Sequence, residues 1–435
     1  MAKYALVNGH VLDGTLDKAG RMQAHDGWVV LVDGQDIAAV GNLPSSELMG
    51  YKVLDLAGAW VVPGLVNLHA HLAASGKPPR ANAKPVDYKK LFDTLTKVPP
   101  VLAGYRAMCA NLAKTELLSG VTTLRTVGGI LDFDGQIRDR IDAGKAIGPR
   151  MLVCNTGVSV PGGHFAGSLA TEATSPEEAA EHVRQIAATK PDWIKLMITG
   201  GVMDASEEGE PGVLRMPPEL VRAACEQAHE LGYRVAAHVE SPEGVRVALE
   251  NGVDTIEHGA LPNERILELF RERGAADVCT ISPALPYAFF PLEESHAPEV
   301  AKKNGQIVMD GIIACAKACL EAGIPVGLGT DAGCPFITHY DMWREVAYFV
   351  KFCDVTPDFA LHTATLGNAR ILGLGEKTGS LEAGKSADLI VCDENPLEDL
   401  SRLRRLRYVM CRGQLVKNPR PRKMAAVEKA LDRYL

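Results

Sequence analysis

A chain of 435 residues with 46% hydrophobic and 23% charged side chains is ordinary globular material, too long for one small core and sized for a large barrel or two domains. Its net charge of −8 argues against a basic surface for nucleic acid or anionic lipid, so neither is expected as a partner. No apolar run approaches the ~20 residues of a bilayer-spanning helix, and the first ten residues show no secretory pattern.

Residues 1–62 alternate short β-type runs (4–7, 28–32 and 37–40) with turns, and Asp33-Gly34 is a hairpin signal between the last two. An apolar run from Val61 then ends abruptly in His69-Ala70-His71. It reads as the first strand of a barrel. On an extended strand residues i and i+2 project from one face, so both imidazoles can meet one metal ion.

After Pro63-Gly64, apolar runs of four to seven residues alternate with longer helical patterns, the signature of βα units and a parallel sheet. Strands are expected at 65–69, 122–126, 151–154, 193–197, 234–238, 255–257, 276–281 and 326–330. Helices between them include 105–119, 176–189, 217–231, 262–273 and 300–322, several with proline in the first turn. Eight such strands specify an α/β fold, a (β/α)8 TIM barrel over residues 63–374. Past Leu374 sheet texture returns at 379–381, 387–392 and 406–411. Residues 1–62 and 375–419 are therefore expected to form one discontinuous β-sandwich domain, with a charged, helix-prone tail at 420–435. There is no internal repeat. The ten cysteines contain no Cys-x-x-Cys pair and read as buried, reduced thiols of a cytoplasmic protein; Cys315 and Cys319 read as packing rather than a zinc clip.

In such a barrel the C-terminal ends of the strands carry the chemistry. The polar residues there are His69 and His71 on the first strand, Lys195 on the fourth, His238 on the fifth, His258 on the sixth and Asp331 after the eighth. Each ends or interrupts an apolar strand. Burying any one without a partner costs a few kcal/mol, and lysine is almost never fully buried unpaired. Six in one fold are therefore expected to be partners of one another around a metal site.

This ordered set resembles the amidohydrolase superfamily in its binuclear, lysine-carbamate branch, and the resemblance covers nearly the whole chain. Within it the chain is most similar to bacterial Xaa-Pro dipeptidase-like and arginine/lysine carboxypeptidase-like members. The supporting pieces are Ile194-Lys195-Leu196-Met197-Ile198-Thr199-Gly200-Gly201-Val202, Gly162-Gly163-His164, Thr255-Ile256-Glu257-His258-Gly259 and Gly384-Lys385-Ser386-Ala387-Asp388-Leu389. The resemblance implies two divalent ions, zinc by expectation, and a CO₂-derived carbamate on Lys195, since a protonated lysine is a donor only. His69, His71 and Asp331 would hold one ion, and His238 and His258 the other. It further implies attack on an amide by water activated between the ions. Asp331 would be the proton shuttle, and His164 would stabilise the developing oxyanion.

Loops at the catalytic end set the substrate. The acidic stretch 203–215, with Glu207, Glu208 and Glu210, reads as a lid or a solvated loop, and Arg215 as an anchor for a substrate carboxylate or a surface residue. Glu240 stands where the related proteins often carry tyrosine or histidine, and would favour a cationic or amine-bearing substrate. His339 is a second candidate substrate contact, with a structural role as its alternative. Thr199-Gly200-Gly201 lacks the Gly-Lys-Ser/Thr of a phosphate loop. The expected activity is hydrolysis of a small dipeptide or N-acyl amino acid. A cyclic-amide hydrolase or a deaminase is the alternative within the enzymes, and a non-catalytic metal-binding scaffold the alternative outside them. A small-molecule substrate and a homo-oligomer are expected.

Overall fold

The computed structural model describes residues 3–79 and 88–435. The N-terminal segment builds one sheet alone, and both chain ends meet in a second. A four-stranded sheet runs Asp36–Gly41, Val29–Asp33, Lys3–Val7, Lys52–Asp55. A six-stranded sheet runs Gln414–Lys417, Leu406–Cys411, Leu389–Cys392, Trp60–Pro63, His10–Leu12, Ala24–Asp26, and its middle pairing, Ile390 with Val62, joins the ends antiparallel. Leu6, Val30 and Ile37 of the first sheet share one buried cluster with Val61, Leu389 and Met410 of the second, which makes the pair a sandwich.

The barrel strands are β1 (Leu65–Ala70), β2 (Val121–Thr126), β3 (Arg150–Val153), β4 (Trp193–Met197), β5 (Arg234–Val239), β6 (Thr255–His258), β7 (Ala276–Cys279) and β8 (Val326–Leu328). All their pairings are parallel. The third wall position is broken: β3 pairs with β2, and the following Gly157–Ser159 carries the wall on to β4 through Val158 and Leu196. The far seam closes at the site itself. Thr330 and Asp331 donate their backbone N–H groups to His69 O at 3.2 and 2.8 Å, and His71 N donates to Ala332 O at 2.8 Å. Helices begin where the sequence caps them: Ser175, Ser241 and Asn263 side chains accept from the backbone of Glu178, Gly244 and Ile266.

Three expected strands differ. The run from Val61 to His71 is two strands split at Gly64, one in the sandwich and one in the barrel; a Cβ on Gly64 would lie 2.1 Å from Thr122 Oγ1, so only glycine fits the crossing. The strand expected to reach residue 281 stops at Cys279, because Glu345 accepts from Ile281 N (2.6 Å) and Ser282 N (2.9 Å) and starts a helix, Ile281–Phe289. Residues 379–381 form no strand; Leu381 N donates to Asp13 O instead. The tail carries a short helix, Ala425–Leu431, whose Glu428 accepts from Arg344 and Arg404. Among the described residues no helix is long and apolar enough to cross a membrane. All ten cysteines are free, and Cys315 packs against Asp277.

Candidate metal centre and active site

The strand ends bring His69, His71, Lys195, His238, His258 and Asp331 together around one cavity of about 80 Å³. Each imidazole is anchored through one nitrogen. His69 Nδ1 faces Glu257 Oε2 (2.8 Å), His71 Nδ1 donates to Gly128 O (2.9 Å), His258 Nδ1 meets Thr280 Oγ1 (2.7 Å) and His238 Nε2 donates to Gly200 O (3.2 Å). A carbonyl or a carboxylate can only accept, so the anchors of His69, His71 and His238 fix their tautomers and leave one ring nitrogen of each as a lone pair for an ion, while the Thr280 hydroxyl, which can donate or accept, orients the His258 ring. Burial, together with neighbouring positive groups, holds His238 and His258 well below the usual histidine range, in the neutral form that ligates.

Two of these lone pairs converge with a carboxylate oxygen. His69 Nε2 and His71 Nε2 lie 3.3 Å apart, and Asp331 Oδ1 is 3.3 and 3.2 Å from them. Donors on a tetrahedral zinc stand about 3.3 Å from one another. The donor set therefore fits a divalent ion, and three facing lone pairs would repel without one. His258 and Asp331 both have positive φ, 74° and 53°, a strained backbone of the kind concentrated at functional sites. Burial opposes the charge of Asp331, yet His69 and His71 hold its carboxyl well below the usual carboxylate range.

Lys195 lies in the same chamber. It is buried, its Nζ has no hydrogen-bond partner among the described residues, and burial lowers its ammonium to about 8. Glu240 lines the cavity with a buried, unpartnered Oε2, and burial pushes its carboxyl up to about 8. His164, on the loop after Gly157–Ser159, stacks on His238 with ring centroids 4.1 Å apart, and its Nδ1 faces Asp204 Oδ2 at 2.5 Å. Asp204 also accepts from Gly201 N at 2.8 Å, so the glycine-rich turn after β4 serves to position His164.

Two candidate substrate contacts lie outside the cavity lining, in line with the structural and surface roles that were their alternatives. His339 is fully enclosed, with Nδ1 on Glu116 Oε1 (3.0 Å) and Nε2 on Ala74 O (2.9 Å); both nitrogens are committed to the protein and it does not line the cavity. Arg215 is exposed and also lies outside the cavity lining, with its backbone N–H tied to Ile198 O. The 203–215 stretch is docked on the helix Glu299–Glu321, where buried Asn304 accepts from Gly209 N and donates to Glu207 O.

The residue-type reading missed Arg125 and Glu257. Both are fully buried; Arg125 Nη2 meets Glu257 Oε1 at 2.6 Å, its Nε donates to Leu68 O, and its guanidinium lies 4.8 Å from the Trp193 ring centre. Burial works against the charge on Glu257, but Arg125 and His69 keep its carboxyl well below the usual carboxylate range. The pair orients His69 from behind. The signal was a lone arginine and a lone glutamate inside apolar strands, neither with a partner nearby in sequence.

A profile of the amidohydrolase family matches residues 60–416. The chain belongs to the amidohydrolase family. Among solved structures it is similar to one from Bifidobacterium longum provisionally assigned as a prolidase, at 35% identity over 99% of this chain and 98% of that one, with a TM-score of 0.85. It is also similar to a Xaa-Pro dipeptidase solved with methionine in its active site, at 28% identity over 96% of this chain and all of that one, TM-score 0.81. Among characterised sequences, the ochratoxinase of Aspergillus niger is 25% identical over 390 residues, 82% of this chain and 76% of that enzyme. This amidohydrolase is thus a hydrolase acting on carbon–nitrogen bonds, with an α/β barrel fold and a candidate metal site of histidines and an aspartate.

Proposed function

We propose that the enzyme cleaves the amide C–N bond of a small substrate, a dipeptide of the Xaa-Pro or Xaa-Arg/Lys type or an N-acyl amino acid, with two divalent ions, most simply Zn²⁺. His69, His71 and Asp331 would hold one ion, and His238 and His258 the other, with a carbamate on Lys195 between them. The observation that carries the reading is the convergence of His69 Nε2, His71 Nε2 and Asp331 Oδ1 at 3.2–3.3 Å beside a buried, unpartnered lysine. A lysine whose burial favours the neutral amine can add CO₂, forming N–C and releasing a proton. When bound, the ions supply Lewis acidity and bring the pKa of a water near neutrality.

The remaining work belongs to side chains. Asp331, ionised by its neighbours, takes the proton of the attacking water and delivers it to the leaving nitrogen. His164, its Nδ1 on Asp204, would donate from Nε2 to the carbonyl oxygen as its charge grows when it carries both ring protons, a form the Asp204 carboxylate supports. Phe165, Met197, Val202, Pro283 and Ile312 form an apolar wall that excludes bulk water.

One observation favours a second reading. Among the described residues lining the cavity, Lys195 is the sole lysine or arginine, so a substrate carboxylate would find no other cation. That favours a neutral cyclic amide of the imidazolone or hydantoin kind. A screen of dipeptides, N-acyl amino acids and cyclic ureides tests both. Turnover of a dipeptide or N-acyl amino acid supports the first reading, turnover confined to ureides supports the second, and a chelator-insensitive rate on any hit would sink both.

A further inference from the structure

The two-ion ligand assignment leaves Glu240 without a role, and any place for Glu240 at the second ion rests on that assignment. Its Oε2 is buried and makes no hydrogen bond among the described residues. An unpaired carboxylate oxygen inside a protein is costly, so an ionised Glu240 calls for a cationic partner. Its neighbours supply the clue: one ring nitrogen of His238, one of His258 and a carboxylate oxygen of Glu240 lie within 4.8 Å of one another. Each ring has one nitrogen engaged by the protein, His238 Nε2 by Gly200 O and His258 Nδ1 by Thr280 Oγ1, which leaves the other for an ion.

The spacing repeats that of the first ligand pair. His238-Val239-Glu240 at the end of β5 has the same i, i+2 form as His69-Ala70-His71 at the end of β1, with both side chains on one face. Two histidines and one glutamate form a donor set that zinc accepts. We propose that Glu240 is a protein ligand of the second divalent ion, completing a His238–Glu240–His258 set, so that this ion is held by three side chains before any carbamate forms on Lys195. His258 then serves the second ion, while His69, His71 and Asp331 serve the first. The carbamate becomes a bridge added to two occupied positions, and retention of the second ion does not depend on CO₂.

The test compares purified holoenzyme with Glu240→Gln and Lys195→Ala by elemental metal analysis and by competition with graded chelators, in bicarbonate-free and bicarbonate-supplemented buffer. Wild type is expected to hold two ions per chain. Glu240→Gln is expected to keep the first and to weaken the second by at least ~100-fold, the upper end of what losing an outer partner of a ligand costs. Lys195→Ala is expected to retain the second ion in both buffers. Replacement by Co²⁺ gives a reading independent of yield: the visible absorption of the second ion should change in Glu240→Gln and be recovered in Glu240→Asp. Two ions bound by Glu240→Gln with wild-type affinity and spectrum, or loss of the second ion in Lys195→Ala, would overturn the assignment alone. A single ion in active wild type would overturn the two-ion reading beneath it.

Discussion

Arg150 and Asp388, where the terminal sheets meet the barrel, and Lys195, Asp331 and the half-buried Glu240, at its catalytic end, are all titratable side chains drawn out of bulk water in one fold. In the first group the hydrogen bonds close. Arg150 donates to Asp388 (2.6 Å), Thr123 (3.2 Å) and Ser386 (2.9 Å), and Asp388 also accepts from Thr378 Oγ1 and Arg412 N, each at 2.7 Å. In the second, Lys195 Nζ, Glu240 Oε2 and Asp331 Oδ1 have no hydrogen-bond partner among the described residues. The same desolvation cost is met by protein groups at one place and left open at the other. A closed network holds architecture together. An open one, at strand ends around a cavity, marks where an outside partner belongs.

The contrast is sharpest if opposite substitutions fail in opposite ways. Asp331→Asn should lower kcat by ~10³-fold or more, as loss of an acid–base group does, while the metal-free variant melts within a few degrees of metal-free wild type; a large loss of stability with activity kept would erase the distinction. Asp388→Ala should do the reverse, costing ~3–5 kcal/mol in denaturant unfolding with metal content per folded chain unchanged. Burial opposes the Asp388 charge, but Arg150 keeps its folded pKa below the ordinary value. Its contribution is therefore present above the unfolded pKa of ~3.9 and lost as pH falls through the lower folded value, so the variant's stability should decline less steeply in that acid range. Glu257→Gln lies between the two: metal affinity should fall ~10–100-fold by chelator competition. The smallest effects belong to the two candidate contacts outside the cavity lining. His339→Asn should leave KM unchanged and cost ~1–2 kcal/mol through Glu116, and Arg215→Ala should stay within ~0.5 kcal/mol in both stability and KM.

What could be read from the chain was what is local. Apolar runs ending in a histidine, lysine or aspartate named β1, β4, β5 and β6 and the residue after β8, because strand period and burial are properties of a few adjacent residues. The split at Gly64 was hidden because both halves are equally apolar, and only the crossing over Thr122 separates them. The helix at Ile281 depends on Glu345, 64 residues on, and Arg125 finds Glu257 132 residues away. His339 looked free for the same reason: Glu116 and Ala74 meet it only in the folded chain. Glu240 was visible as a departure from the related proteins, but its nearness to both His238 and His258 was not.

The seam between β1 and the segment after β8 is fastened by bonds that run through His69, His71 and Asp331, the residues proposed to grip the first ion. An ion there acts as a rivet across the one place where the first and last strands must part for the barrel to open. Loading would then lengthen the life of the fold as well as enable its chemistry, by raising the barrier to unfolding. Stripped protein should be cut by a protease many times faster than loaded protein at a temperature where both are folded, and in a cell short of metal the enzyme's abundance would fall along with its activity.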